Sequence, residues 1–176
     1  MLETLRNYEV TSTFFCIGDN IRNNVNVFKR IVEDGHSVGN HTFNHLKGWK
    51  TDNETYLSNI VLCDQIMNQC CVNSDETNRY IRNGKILFRP PYGRIKRSQI
   101  RLLPTHSITM WDVLTYDYDK TLSKHVCLKN SIRATRPGSI IVFHDSFKAE
   151  KNMTYALPRF IDHFLNEGYS FSSLHA

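Results

Sequence analysis

The sequence predicts an α/β fold built on a parallel sheet, open or closed into a barrel, and three observations predict it. Strand-like and helix-like segments alternate along the 176 residues, the pattern of successive βα units. The run Ile140-Ile141-Val142-Phe143 is unbroken and apolar, as expected of a strand covered on both faces. The polar residues suited to chemistry fall just after strand-like segments, where such folds place their sites. At 20.6 kDa, with 40% hydrophobic and 22% charged residues, the chain has the size and the apolar content of one domain over 1–176 and is not a disordered polymer.

Residues 2–8 carry a short helical pattern, and 9–18, β-branched and aromatic and closed by Gly18, read as a strand. Ile21, Val25, Phe28, Ile31 and Val32 recur at helical spacing, with Asp19 or Asn20 as cap and Gly35 as stop, so a helix returns the chain. Residues 37–40 form a short strand and 41–50 a polar loop. Thr51-Asp52-Asn53-Glu54 has the capping-box pattern and opens a helix through Leu57, Ile60, Val61 and Met67 to about Cys71. The polar stretch 73–83 is a surface connection. A strand at 85–89, the turn Pro90-Pro91-Tyr92-Gly93, a helix at 98–103 and a strand at 107–111 follow. Residues 122–135 are helical, Pro137-Gly138 turns the chain into the buried strand 139–143, and a helix over 155–167 stops at Gly168 before a final strand, 169–171.

Lysine and arginine number 22 against 17 acidic residues, a net charge of +5. The basic residues are spread out, the densest group being Arg94, Lys96, Arg97 and Arg101. A nucleic-acid binder concentrates them in one stripe, so no nucleic acid is expected as partner. No apolar run approaches the roughly 18–20 residues of a transmembrane helix. Residues 1–6 set charges among isolated leucines instead of the continuous apolar stretch of about 7–15 residues in a secretory signal. No signal peptide is therefore read, and the location stays open: cytoplasmic as written, extracytoplasmic if an upstream segment carries the signal. Cys16, Cys63, Cys70, Cys71 and Cys127 are odd in number and lack CxxC spacing, which favours free buried thiols over disulfides or a zinc knuckle.

Four strand ends deliver polar types: His41-Thr42-Phe43-Asn44-His45, then Arg89-Pro90-Pro91-Tyr92-Gly93, then Trp111-Asp112 through Asp117-Tyr118, then His144-Asp145-Ser146. Two imidazoles four positions apart can reach one ion if the segment makes a helical turn. Taken singly, each feature has an ordinary reading as well. The histidine pair could be a surface accident, His144 a satisfied core histidine, and Arg89 the partner of a structural carboxylate.

The order of these segments resembles the polysaccharide deacetylases, the NodB-homology family also called carbohydrate esterase family four. The resembling segments are TSTFFCIG (11–18), GHSVGNHTFNH (35–45), FRPPYG (88–93), MWDVLTYDY (110–118), IVFHDS (141–146) and GYSFSSL (168–174), nearly the whole chain. The resemblance implies a distorted (β/α) barrel and a metal-dependent hydrolase that removes N- or O-acetyl groups from chitin-like, peptidoglycan or other acetylated polysaccharides. It implies His41 and His45 as metal ligands, with zinc preferred although two imidazoles also suit cobalt or nickel. His144 corresponds to the general acid, Asp117 to the carboxylate that orients it, and Arg89 to the arginine that pairs with the catalytic base. The N–H of Tyr92 corresponds to an oxyanion donor, and Pro91, Trp111 and Tyr118 to substrate contacts. Trp49, Phe43 and Tyr92 are further candidates to stack on sugar rings, although burial is the commoner role of a Trp such as Trp49.

One departure matters. The family's T-F-D-D-G strand, which carries the base and a third metal ligand, has no counterpart, since residues 1–5 align with the helix that follows it. Leu114 also stands where the family's fourth motif begins with Asp. The expectation is a barrel lacking its first strand and an incomplete or impaired deacetylase, unless Asp112, Asp145 or another carboxylate completes the metal site. The alternative is a catalytically inactive carbohydrate-binding protein of the same fold.

Overall fold

The computed structural model describes residues 1–71 and 81–174. In chain order the elements are α1 (Leu2–Asn7), β1 (Thr13–Cys16), α2 (Gly18–Asn23), α3 (Val25–Glu33), β2 (Ser37–Asn40), a 3₁₀ turn (Gly48–Lys50) and α4 (Asn53–Cys70). There follow β3 (Ile81–Arg82), β4 (Lys85–Phe88), a second 3₁₀ turn (Pro91–Gly93), α5 (Arg97–Arg101), β5 (His106–Ile108), β6 (Val113–Leu114), α6 (Lys124–Ala134), β7 (Ile141–Val142) and α7 (Glu150–Asn166). The α/β alternation is as the sequence predicts. Most of the polar connection 73–83 lies outside the described residues, and its last part forms β3. Among the described residues no helix is long and apolar enough to cross a membrane.

The chain divides into two units, Thr11–Met110 with Ser172–Ala176, and Met1–Val10 with Trp111–Phe171. In the first, β1 pairs with β2 from Thr13–Ser37 to Cys16–Asn40, β2 meets β4 at Asn40–Phe88, and β4 pairs with β5 from Ile86–His106 to Phe88–Ile108, all in parallel. The short β3 is antiparallel to β4. Helix α4 closes over the sheet, and Tyr56, Ile60, Phe88 and Leu103 make a buried cluster. Gly39 lets the strands approach: a Cβ there would lie 2.7 Å from the Phe15 ring and 3.1 Å from Leu87 Cβ.

Two expectations in this unit are corrected. The single helix after β1 is two helices, broken at Asn24 (φ −141°, ψ 50°). Asn24 donates its side-chain amide to the Asn20 carbonyl at 3.1 Å, a local bond of the kind that competes with the helix ladder. The cap of α4 is Asp52, whose carboxylate accepts from Thr55 N at 2.9 Å. Thr51 turns the other way and donates its hydroxyl to the Lys47 carbonyl.

In the second unit β6 and β7 pair in parallel, and α6 packs on α7. The core holds Leu5, Val113, Cys127, Met153, Phe160 and Phe164. The strand expected over 139–143 shrinks to Ile141–Val142 and is half-buried, because Ile140 N–H leaves the ladder for the Asp112 carboxylate at 2.6 Å. Helix α7 starts earlier than its apolar periodicity suggests, and within its first turn the buried Asn152 donates to the carbonyls of Asp119 and Leu122. No strand forms at 169–171; Tyr169 and Phe171 are anchored by ring contacts to Phe164 and Phe160, at 5.0 and 6.3 Å.

Candidate active site

The end of β2 turns into the histidine loop through Asn40, which is fully buried. Its amide donates to the Ile60 carbonyl at 2.8 Å and to Asp64 Oδ1 at 2.6 Å, and its Oδ1 accepts from Thr42 N at 2.7 Å. Asp64 also accepts from His106 Nε2 at 3.0 Å. A fully satisfied buried network of this kind fixes one backbone path. It needs to, because Thr42 and His45 both take left-handed backbone (φ 62° and 57°), a conformation that is strained for residues with a side chain. Further pins are Leu46 N donating to Thr42 Oγ1, and Phe43 N and Asn44 N donating to Asn59 Oδ1 on α4.

The loop is therefore not the helical turn that the four-residue spacing suggests. The two left-handed residues do the same work and bring the His41 and His45 rings to 4.9 Å. His41 Nδ1 lies 2.6 Å from the Arg89 carbonyl. The carbonyl can only accept, so Nδ1 carries the proton and Nε2 keeps its lone pair, the arrangement usual for a metal-ligating imidazole. Tyr92, in left-handed backbone (φ 60°), lays its ring 4.7 Å from that of His45. Pro91, expected at the substrate, is buried.

Arg89 is buried, with Nε and Nη2 donating to the carbonyls of Thr109 and Met110 at 3.2 and 3.1 Å and the guanidinium 4.1 Å over the Phe15 ring. Burial pulls its pKa down to about 10, because removing the cation from water disfavours the charged form. The carbonyls and the ring face offset part of that penalty.

On the other unit, Asp117 is fully buried and holds His144 twice, accepting from its backbone N at 2.7 Å and from Nδ1 at 2.7 Å. The carboxylate fixes the Nδ1–H tautomer and leaves Nε2 for chemistry. Tyr118 meets the His144 ring edge-to-face at 4.8 Å, and Trp111 is half-buried. Asp112, named as a substitute metal ligand, is committed to Ser139 Oγ at 2.7 Å and Ile140 N. The Ser139 hydroxyl, followed by the Ile140 amide, holds its carboxyl below the usual range. Among the described residues no three His, Cys, Asp or Glu side chains are placed to hold a metal. The imidazoles thus suit a divalent cation as two of its ligands, one short of the three protein ligands a catalytic zinc site takes.

Sequence reasoning missed Asn40, Asp64 and His106. The sequence signal was only Asn40, a polar residue closing a strand-like segment directly before the histidine pair; Asp64 and His106 leave none.

Residues 1–111 match the model of the family described as polysaccharide deacetylase. A peptidoglycan-N-acetylglucosamine deacetylase of Bacillus cereus is 30% identical over 148 residues, which cover 83% of this chain and 50% of that protein. The chain therefore spans about half the length of this curated relative. A crystal structure of a peptidoglycan N-acetylglucosamine deacetylase in complex with a hydroxamate-type benzamide superposes with a TM-score of 0.86 at 28% identity, covering 98% of this chain and 77% of that one. A mutant of a CE4-family pseudoenzyme from Bacillus anthracis, with restored enzymatic activity, superposes with a TM-score of 0.83 at 25% identity, covering 98% of this chain and 59% of that one.

Proposed function

Because the chain belongs to the polysaccharide deacetylase family, we propose that it carries the hydrolytic module that cleaves the acetyl–nitrogen bond of N-acetylated sugars in a glycan such as peptidoglycan. The observation that carries this reading is the His41–His45 pair, with His41 Nδ1 committed to the Arg89 carbonyl. A divalent metal, zinc for preference, would be held there by His41 and His45 and supplies, when bound, acyl polarisation and an acidified water.

The chain's own residues divide the remaining work. Arg89, clamped by Thr109 and Met110, fixes the strand end whose carbonyl orients His41. The Tyr92 N–H donates to the oxyanion of the tetrahedral intermediate. His144 passes a proton from Nε2 to the departing amine, and Asp117 holds its tautomer and stabilises the imidazolium before that transfer.

With one protein ligand fewer among the described residues than a catalytic zinc site usually has, we expect weakened zinc affinity and low turnover. The same observation favours a second reading, a carbohydrate-binding protein without activity, and one structural neighbour is a CE4-family pseudoenzyme whose activity had to be restored by mutation. The test is zinc affinity of the purified chain beside His41→Ala, with acetate release followed on a chitin oligomer and on peptidoglycan fragments. The hydrolase reading expects zinc affinity to drop in the variant by more than the about 10–100-fold typical of losing an outer-shell partner, and acetate to appear with zinc. Saturable glycan binding without acetate at any zinc concentration selects the second reading.

A further inference from the structure

Two loops run side by side next to the histidine pair, and their side chains meet in successive pairs. His45 contacts Tyr92, Lys47 Nζ sits 5.0 Å over the same tyrosine ring, and the Arg94 guanidinium sits 4.2 Å over Trp49. Trp49 is 55% exposed, more than the high average burial of Trp would give. It is nevertheless held rigidly, since Nε1 donates to the Ile95 carbonyl at 3.1 Å and Gly48 N donates to the Arg94 carbonyl at 3.1 Å.

The mount is purpose-shaped. A Cβ at Gly48 would lie 2.5 Å from the Arg94 carbonyl and 2.8 Å from Gln99 Oε1, so only glycine permits the approach. Gln99, fully buried, donates to the carbonyls of Gly48 and Thr51 and accepts from Lys96 N. An exposed indole whose side-chain entropy is already removed is prepared for a ligand. Its flat apolar face with a polar edge suits the C–H face of a pyranose. Among the described residues, neither Lys47 nor Arg94 is ion-paired with a carboxylate. The Arg94 guanidinium covers one face of the ring, which leaves the opposite face for the sugar, and its outer edge offers the paired donors that recognise a carboxylate.

We propose that Trp49 and Arg94, assisted by Lys47, form a saccharide subsite beside the His41–His45 pair that takes a sugar ring bearing a carboxylate. This deepens the glycan reading above and rests on it. The carboxylate can come from a lactyl ether on an amino sugar or from a uronic acid, two sources of the same chemistry.

The test is calorimetric binding to the metal-free chain at low and high salt. The probes are neutral chitotetraose, a peptide-free muramoyl tetrasaccharide and a hyaluronan tetrasaccharide. We expect at least one carboxylate-bearing probe to bind about tenfold tighter than chitotetraose at low salt. Arg94→Gln should erase that preference, and Trp49→Ala should weaken every probe about fivefold or more. Trp49→Phe keeps a stacking ring and should retain most of the affinity, which separates stacking from a folding defect. The muramoyl and hyaluronan arms identify the source of the carboxylate. No saturable binding, equal affinity for neutral and anionic probes, or unchanged binding in a folded Trp49→Ala overturns the proposal. Acetate release after zinc is added to the same samples judges the hydrolase reading separately: Trp49-dependent binding without acetate leaves the subsite standing and removes the hydrolysis.

Discussion

At the scale of single residues, the orientation of each imidazole is set by what its Nδ1 meets: the Arg89 carbonyl for His41 and the Asp117 carboxylate for His144. An amide at position 117 can accept one bond but must offer its NH₂ group to the other, so it no longer fits both donors of His144. We expect Asp117→Asn to shift the His144 ring from the single Nδ1–H tautomer to a mixture, read from the ring ¹⁵N shifts. Wherever acetate release is measurable it should fall about 10²–10⁴-fold with zinc affinity unchanged. A persistent Nδ1–H tautomer in the variant would remove Asp117 from the orienting role. The type and position of these residues were legible in the motifs. The carbonyl partner of His41 was not, since a main-chain acceptor leaves no mark in the sequence.

At the scale of elements, short helices and strands here begin and end where side chains capture backbone groups. Ser123 accepts from Val126 N and starts α6, and Ser123→Ala should therefore cost about 1 kcal/mol, while Ser123→Asp keeps an acceptor and should cost little, both read by urea denaturation. Such competition also explains where periodicity misled. Hydrophobic spacing ran unbroken from Ile21 to Val32, but Asn24 bonded back to Asn20 and split the helix. The Thr51–Glu54 pattern correctly announced a helix start, yet of two adjacent oxygen-bearing side chains it was Asp52 that capped, because Thr51 was drawn to Lys47. The apolar run 140–143 implied a long buried strand, and the Asp112 carboxylate took its first amide.

At the scale of the whole molecule, buried acids set the response to alkali. Burial pushes the Cys63 thiol up to about 12 and the Cys127 thiol up to about 11, and it also raises Tyr56. Above about pH 9 the unfolded chain sheds these protons while the folded chain keeps them, so the folded state binds more protons and stability falls as pH rises. Between pH 8 and pH 10 the two thiols together should remove about 2–3 kcal/mol. Arg89 acts in the opposite sense, its lowered pKa favouring the folded state only as pH climbs past about 10. Urea unfolding at the two pH values measures the sum, and Cys63→Ala should flatten the dependence. An unchanged midpoint would mean the thiols are not desolvated.

The sequence by itself determined the α/β alternation, the family, and the placement of His41, His45, Arg89, Asp117 and His144 after strands, because these depend on local periodicity and on residue types at short spacing. Only the tertiary structure decided how the histidine pair meets. Its left-handed turns are held by Asn40, Asp64 and His106, which come from three separated segments, and no local pattern encodes a network closed by long-range contact. It likewise decided that Trp49 stands at the surface on a mount built by Gly48, Ile95 and Gln99, since whether an aromatic ring is buried is settled by the space its distant neighbours leave.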